Sequence, residues 1–272
     1  ISDITISAGA TTGTASFTPT DDSIFEGDET GIVAITGVSG ADAAESGSQS
    51  VTITITDNET TAPKVTLTSS ASSIAENSGS SITLTATLSV ATTADVTVGL
   101  SKDSGAATEG TDFNNLSDIT VTAGNTTGTT SFTPTNDSIY DAASNETAVI
   151  IIDSVSGGSA TEDGSQSVTL TITDDESAPT VSLSTSASTV AEKGGGSITI
   201  TATASVATFA NISVPVTMSG TATEGTDYNS GGTVSDITIS AGSTSGTATL
   251  TPVDDTLFEN SETAIVDIAV SG

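Results

Sequence analysis

The sequence has no histidine, no cysteine and no tryptophan, and only 3 of its 272 residues are lysine or arginine. Without His and Cys, the usual zinc sites, Ser-His-Asp and Cys-His catalysis and every disulfide are excluded. Against these few basic residues stand 34 Asp and Glu, so the net charge is −31. A polyanion of this kind repels nucleic acid and anionic lipid, and neither is expected as a partner.

Long apolar runs are also absent, and none approaches the roughly 20 residues of a transmembrane helix, so direct membrane insertion is not expected. High charge with only 34% hydrophobic residues is typical of disorder. The pattern favours folding instead, because residues 51–56 and 168–173 strictly alternate Val, Ile or Leu with Thr. Such alternation indicates strands with one buried face.

The chain repeats itself at intervals of 115 to 118 residues, which is the size of a whole domain. The motif Ser-Asp-Ile-Thr occurs three times, beginning at Ser2, Ser117 and Ser235. We therefore predict three units: residues 1–59 as the C-terminal half of one repeat, 63–176 as a complete repeat, and 179–272 as a repeat that lacks its last strand.

The junctions between units are short acidic turns closed by Ala-Pro, at Pro63 and Pro179. Proline restricts itself and the residue before it, so stiff linkers are expected. We expect the segment to belong to a longer tandem array. Donor-strand pairing between the two incomplete units fits poorly, because the first would bring strands that the third already has.

The complete repeat is predicted to have seven strands, A to G, at residues 64–69, 81–90, 95–102, 117–122, 128–134, 146–155 and 167–173. Strand F carries the apolar run Val149–Ile152, which is expected of a central strand. Seven antiparallel strands in a repeat of this length indicate an all-β, immunoglobulin-like β-sandwich. The Trp and disulfide of antibody domains are absent, so only the architecture carries over.

Strand parity places the AB, CD and EF connections and the end of strand G at one pole of this sandwich. Eight of the 15 acidic residues of the complete repeat fall there, and we call them the acidic pole. They are Glu76, Asp112, Asp137, Asp141, Glu146, Asp174, Asp175 and Glu176. Crowded carboxylates raise one another's pKa and destabilise the fold, and Lys64 and Lys102 are too few to offset them.

A hard cation is the physical remedy for such crowding. Ca²⁺ takes six to eight oxygen ligands at about 2.3–2.6 Å and tolerates irregular geometry, whereas Mg²⁺ demands an octahedron and keeps its waters. Plain solvation, or adaptation to high salt, is the alternative explanation of the same cluster. Glu45 and Glu162, which lie elsewhere, are interpreted as solvated surface.

Four segments of the complete repeat resemble the Calx-beta motif, a module of sodium–calcium exchangers and large bacterial surface proteins. They are Ile-Ala-Glu at 74–76, Gly-Thr-Asp-Phe at 110–113, Asn-Asp-Ser-Ile-Tyr-Asp at 136–141, and Ile-Thr-Asp-Asp-Glu at 172–176. The first and third units carry equivalent EF segments at 21–26 and 254–259. The resemblance covers essentially the whole chain.

In exchanger Calx-beta domains the matching acids bind Ca²⁺, so the resemblance implies calcium ligands in every unit. In the complete repeat they are the residues of the acidic pole. In the first unit they are Asp21, Asp22, Glu26, Glu29, Asp57 and Glu59, and in the third they are Glu192, Asp227, Asp254, Asp255, Glu259 and Glu262.

The complete repeat departs from this pattern in its EF connection. Asn136 stands where the other units have Asp, Asp141 stands where they have Glu, and the connection is two residues longer. We therefore expect its site to bind fewer ions or to bind them more weakly. Glu109 and Glu224 lie near the site but match no ligand position.

Enzymatic activity is not expected. Paired carboxylates can support glycoside hydrolysis, but the same cluster recurs in each unit and aromatic residues are only 3% of the chain. Threonine-rich strand faces leave ice or glycan binding as an alternative, although these threonines follow ordinary strand alternation.

The predicted function is structural: a calcium-stabilised tandem-repeat shaft of a secreted surface protein, such as an adhesin, surface layer or biofilm-matrix filament. Absence of Cys and scarcity of Lys suit a bacterial extracellular protein. The expected partners are neighbouring repeats of the same chain and other copies in a filament or layer. A calcium-sensing regulatory module of a larger membrane protein is the main alternative.

Overall fold

The computed structural model describes residues 1–141, 146–230 and 233–268 of the chain. Within them the secondary structure is strand and turn, apart from a short 3-10 turn at Glu76–Ser78. None of the described segments forms a helix of the length and hydropathy needed to cross a membrane.

The first unit contains three described strands: β1 (Ile24–Phe25), β2 (Glu29–Ala34) and β3 (Ser50–Ile55). Strands β2 and β3 form an antiparallel hairpin. Their apolar side chains remain open to solvent, since Ile32 is 72% and Val51 is 62% exposed. Within the described residues these side chains therefore do not form a buried core with a second sheet.

The complete repeat follows with eleven strands. They are β4 (Lys64–Ser69), β5 (Ser73–Ala75), β6 (Ile82–Leu88), β7 (Ala91–Thr92), β8 (Val96–Ser104), β9 (Ile119–Val121), β10 (Thr127–Phe132), β11 (Ile139–Tyr140), β12 (Glu146–Ser156), β13 (Thr161–Glu162) and β14 (Ser167–Thr173). The predicted strands A to G correspond to β4, β6, β8, β9, β10, β12 and β14, and no end differs by more than two residues. The other four are two- or three-residue segments without a detectable sequence period.

Two sheets make up the sandwich of this repeat. One has the order β10-β6-β4-β13 and the other β5-β14-β12-β8-β9, so the apolar strand β12 is central as predicted. The main ladders are antiparallel, whereas the short edge strands β5 and β13 pair in parallel with β14 and β4. The predicted all-β class of tandem immunoglobulin-like sandwiches is confirmed, with these parallel edge pairs added.

The core of the complete repeat is built from the inward positions of the alternating strands. In β14, for example, Leu170 and Ile172 are buried while Ser167 and Thr169 face solvent. Phe113 and Phe132 are fully buried, and their rings stack with centroids 4.6 Å apart. The complete repeat and the third unit each have their own apolar cluster, so these two are held together separately.

The third unit repeats the arrangement with eight described strands. They are β15 (Val181–Thr185), β16 (Ile198–Ala204), β17 (Ala207–Thr208), β18 (Ile212–Val214), β19 (Val216–Gly220), β20 (Ile237–Ile239), β21 (Ser245–Leu250) and β22 (Ala264–Ile268). Its strand C is divided into β18 and β19 because Pro215 has no amide hydrogen to donate to a ladder. The last residues predicted for this unit, 269–272, lie outside the described residues.

Successive units are joined by more than their linkers. Strand β1 of the first unit pairs in parallel with β7 of the second, and β11 of the second pairs in parallel with β17 of the third. Each of these pairs joins the EF connection of one unit to the segment between strands B and C of the next. The two junctions are therefore built in the same way.

Candidate metal centre

The acidic pole of the complete repeat is assembled from the AB, CD and EF connections and the end of strand G. Glu76 lies in the 3-10 turn after β5, Asp137 and Asp141 flank β11, and Glu176 follows β14. Carboxylate oxygens of Glu76, Asp137 and Glu176 lie within 4.8 Å of one another. The fold thus gathers acidic residues from the beginning, middle and end of the repeat, as strand parity predicts.

Three oxygens at this pole are buried and have no hydrogen-bond partner among the described residues. They are Oε1 of Glu76, Oδ1 of Asp141 and Oε2 of Glu176. A buried acceptor without a partner costs roughly 1–3 kcal/mol, and more when it is charged. Glu76 and Glu176 belong to the group of converging carboxylates described above, so a cation with a preference for oxygen would satisfy their buried oxygens, and the donor set fits a hard divalent ion.

The electrostatics of the pole point the same way. Burial, together with a hydrogen bond and repulsion from Glu176, raises the pKa of Glu76 to about 8. Burial and the charge of Asp112 raise the pKa of Glu146 to about 7. The pKa of Asp141 is also raised, by burial and then by its acidic neighbours. Burial and the repulsion among neighbouring carboxylates therefore favour the protonated forms of these three groups.

Asp174 behaves differently because its oxygens already accept hydrogen bonds. Burial raises its pKa, but bonds from the backbone amides of Glu176 (2.9 Å) and Asp141 (2.8 Å) outweigh that effect, and the pKa is lowered. The side chain of Asp174 therefore fastens the end of β14 to the EF connection. Asn77, which sequence reasoning missed, adds a second link by donating from Nδ2 to Asp175 at 2.7 Å.

Asp112 reaches the pole from the CD connection. Its Oδ2 accepts a hydrogen bond from the amide of Thr108 at 2.5 Å, which holds the loop in a turn. Its charge contributes to the raised pKa values of both Asp141 and Glu146. The eight predicted residues of this repeat thus lie around one pole, although residues 142–145, which make its EF connection longer, lie outside the described residues.

Comparison with protein families matches the Calx-beta domain twice, at residues 58–176 and 174–271. The chain belongs to the Calx-beta family. Calx-beta domains are non-catalytic β-sandwiches known for calcium binding. The two matches share residues 174–176, which close one acidic pole and begin the linker to the next repeat. A search of curated proteins finds no match for the chain.

In the first unit, all six predicted ligands line one small pocket, together with Pro19, Thr20, Gly27, Ile55, Thr56 and Asn58. Asp57 occupies the place of Asp174, and amide hydrogen bonds from Gly27, Glu26 and Glu59 lower its pKa to about 2. The pKa values of Glu26 and Glu59 are raised, first by burial and then by neighbouring acids.

The third Calx-beta unit brings together Glu192, Asp255 and Glu259, with carboxylate oxygens within 4.8 Å of one another. Asp227 joins them through Glu262, whose pKa is raised first by a hydrogen bond with Asp227. Asp254 is exposed, and no hydrogen bond of its side chain is found within the described residues. Five of the six predicted ligands of this unit are therefore linked into one group.

Two acidic residues have a role that sequence reasoning missed. Glu45 and Glu162 are half-buried, and each accepts a hydrogen bond from the amide of a glutamine four residues on, Gln49 at 2.6 Å and Gln166 at 2.5 Å. Their interpretation as solvated surface is wrong, because these carboxylates close the turn before strand G. The signal was a Glu four residues before each Gln-Ser pair.

Glu109 and Glu224, which match no Calx-beta ligand position, also accept backbone hydrogen bonds. Glu109 binds the amide of Leu116 at 2.6 Å, and Glu224 binds the amide of Val234 at 2.5 Å. Both carboxylates shape the CD connection that carries Asp112 or Asp227. Their role is therefore to hold the backbone of the loop from which Asp112 or Asp227 projects.

Proposed function

We propose that this chain is part of a calcium-stabilised tandem-repeat shaft in a secreted surface protein, of adhesin, surface-layer or matrix type. The observation that supports it most is the set of buried oxygens of Glu76, Asp141 and Glu176 beside the linker, which have no hydrogen-bond partner among the residues that the structure describes. An acidic site at this position connects three loops of one repeat to the start of the next. It therefore suits a structural joint better than a catalytic cleft.

Glu76, Asp137, Asp141 and Glu176 would hold the ion in the complete repeat. Asp112 and Glu146 would add negative charge, since the charge of Asp112 already acts on both Asp141 and Glu146. The ion would neutralise their repulsion and crosslink the AB, CD and EF connections to the end of β14. A ligand that binds only the folded form stabilises it by RT ln(1 + [L]/Kd), which is about 2.7 kcal/mol at a hundredfold excess over Kd.

The array itself is supported by the two parallel strand pairs that join successive units. A repeat that docks on its neighbour transmits force along the chain, which is the task of a shaft. Extracellular fluid supplies calcium at concentrations that such sites require. In this proposal the partners are neighbouring repeats and other copies of the chain in a filament or layer.

A calcium titration of the 272-residue chain tests the proposal. We expect calcium to raise the melting temperature and to extend the particle in small-angle X-ray scattering, and EGTA to reverse both. Magnesium at the same concentration is the control and should do much less, because it resists irregular oxygen cages. Identical melting and scattering in calcium, magnesium and EGTA would refute the proposal.

The affinity separates the shaft from a calcium-sensing module. Extracellular calcium modules bind with Kd on the order of 10⁻⁴ to 10⁻³ M, whereas sensors bind at about 10⁻⁷ to 10⁻⁵ M. Isothermal titration calorimetry should therefore give a Kd in the weaker range. A value in the tighter range would favour the sensor.

A further inference from the structure

Each EF connection of the chain carries a pair of apolar residues between two acidic positions. These pairs are Ile24–Phe25, Ile139–Tyr140 and Leu257–Phe258. All three pairs follow the same local turn, in which an Asp side chain two residues upstream accepts a hydrogen bond from the first amide of the pair. The donor–acceptor distances are 2.9 Å to Asp22, 2.7 Å to Asp137 and 2.6 Å to Asp255.

The first two pairs are strands docked on the following repeat. Ile24 and Phe25 lie opposite Ala91 and Thr92 in parallel register, and both residues of the apolar pair are partly buried. At the second junction the register is the same, and the amide of Phe209 donates to the carbonyl of Tyr140 at 3.3 Å. The docking depends on backbone pairing and apolar contact.

The receiving segment has its own constant features. Thr92 is 1% and Thr208 is 7% exposed, and each hydroxyl group donates within its own turn, to Ala94 or Ala210, at 2.6 Å. Because the threonine hydroxyl already has a hydrogen-bond partner, a docking strand needs to supply only backbone hydrogen bonds and apolar side chains. An apolar EF pair is therefore suited to dock on an Ala-Thr strand of this kind.

The third pair, Leu257–Phe258, follows the same turn, but among the described residues it is not docked on another strand. Leu257 is 67% and Phe258 is 96% exposed, and no strand lies beside them in the part of the chain that the structure describes. A segment without a strand partner is a template for strand pairing. A leucine and a phenylalanine held open at one point mark an interaction surface.

We propose that Leu257–Phe258 is a docking strand for a further repeat of this kind, which would pair with it through an Ala-Thr segment equivalent to Ala91–Thr92 and Ala207–Thr208. The partner is inferred from the two junctions within the chain, where this pairing already occurs. The inference rests on the proposed array and adds the contact that would extend it. It does not depend on calcium occupying the acidic pole.

A graft within the chain tests whether the third pair is competent to dock. In the variant Ile139→Leu/Tyr140→Phe, the pair of the third unit replaces that of the second. We expect hydrogen exchange of the Phe209 amide to stay as slow as in the parent chain, whereas Ile139→Asp/Tyr140→Asp should speed it by roughly tenfold. Exchange in the grafted chain as fast as in the Asp variant would overturn the proposal.

A lengthened chain tests the docking itself. Residues 41–176 are appended after Gly272, where Val-Ser-Gly matches residues 38–40, so that the third unit is completed and a full repeat follows. The substitution Phe258→Trp supplies the only tryptophan. Acrylamide should quench it less in the lengthened chain than in the 272-residue chain, and adding Leu257→Asp should restore full quenching.

Equal quenching in the two chains would overturn the proposal. Tyr140→Trp in the same lengthened chain is the matched control, because that position is already docked. Both experiments are run in calcium and in EGTA. If the chain does not bind calcium, quenching and hydrogen exchange still report the strand pairing. Failure of the calcium proposal and failure of the docking proposal are therefore distinguished.

Discussion

The carboxylates of this chain divide into two classes that their residue type does not reveal. Some, such as Asp57, Asp174 and Glu162, are acceptors for backbone amides and stabilise turns. Others, such as Glu76 and Asp141, keep buried oxygens that have no hydrogen-bond partner in the part of the chain that the structure describes. An amide-bonded carboxylate supports the backbone even when it also serves a cation, whereas the unpartnered oxygens have no such task, so substitutions in the two classes should have different consequences.

Glu76→Gln tests the second class. Because Glu76 has a pKa raised to about 8, its side chain is largely protonated at pH 7, and an amide of the same shape should leave metal-free stability nearly unchanged. The calcium-induced rise in melting temperature should shrink strongly. Asp153→Asn, at an exposed position of β12, is the control and should keep the full rise. Equal calcium responses in both variants would contradict this assignment.

The raised pKa values also predict how metal-free stability depends on pH. A carboxyl group whose folded pKa is raised favours folding fully below its unfolded pKa and loses that contribution as pH rises through the folded value. For Glu76 and Glu146 this window runs from about 4.5 to about 7–8. The melting temperature in EGTA should therefore fall across it.

The variant Glu76→Gln/Glu146→Gln is the check on that profile. It removes both titrations, so its melting temperature in EGTA should change less between pH 5 and pH 8 than that of the parent chain. Saturating calcium should flatten the profile of the parent, since the ion displaces the same protons. A profile that is unchanged by the double substitution would place the titration elsewhere.

At the level of elements, the sandwich depends on a close approach between strands β9 and β10. A Cβ atom added at Gly128 would lie 2.4 Å from the backbone oxygen of Thr120. Gly13 and Gly246 meet Thr5 and Thr238 at 2.4 and 2.2 Å in the other two units. Backbone cannot yield as a flexible side chain can, so glycine is required at this position of each unit.

Gly128→Ala should therefore destabilise the complete repeat by about 1–3 kcal/mol through overpacking. Gly31→Ala is the matched control, because Gly31 also lies in a strand but has no atom within 4 Å of the added Cβ. Urea denaturation of the two variants would measure the difference. Equal midpoints would show that β9 and β10 can separate without cost.

At the level of the whole molecule, a charge of −31 has two separable effects. Diffuse repulsion among exposed carboxylates is screened by any salt, with a Debye length of about 10 Å at 0.1 M. A cation bound by converging oxygens acts only at its site. The relative size of the two effects decides between calcium binding and adaptation to high salt.

Melting in NaCl and in CaCl₂ at equal ionic strength would separate these effects. If calcium is bound at the acidic poles, CaCl₂ should raise the melting temperature well beyond NaCl, and the Glu76→Gln variant should lose much of the excess. Coincident melting curves in the two salts would favour screening and high-salt adaptation. Residual differences in the variant would report the sites of the other two units.

Much of this architecture could be predicted because it is periodic. Alternating Thr with Val or Ile placed strands A to G within two residues, since one buried face imposes a period of two on every long strand. Parity then placed loops from distant parts of a repeat at one pole. The repeats then extended the prediction from one unit to the others, because motifs at equal spacing occupy equivalent positions in each sandwich.

Sequence alone determined the all-β class, the repeats and the pole at which the acids gather. The tertiary structure decided which carboxylate oxygens are already used by backbone amides, and that the EF pair of one unit is a strand on the next. The sequence shows only that a residue is Asp or Glu. Whether its carboxylate accepts a hydrogen bond from a backbone amide depends on which amide the fold brings next to it. Two-residue strands such as β1 and β7 have no period to detect, because their pairing arises only when two folded repeats meet.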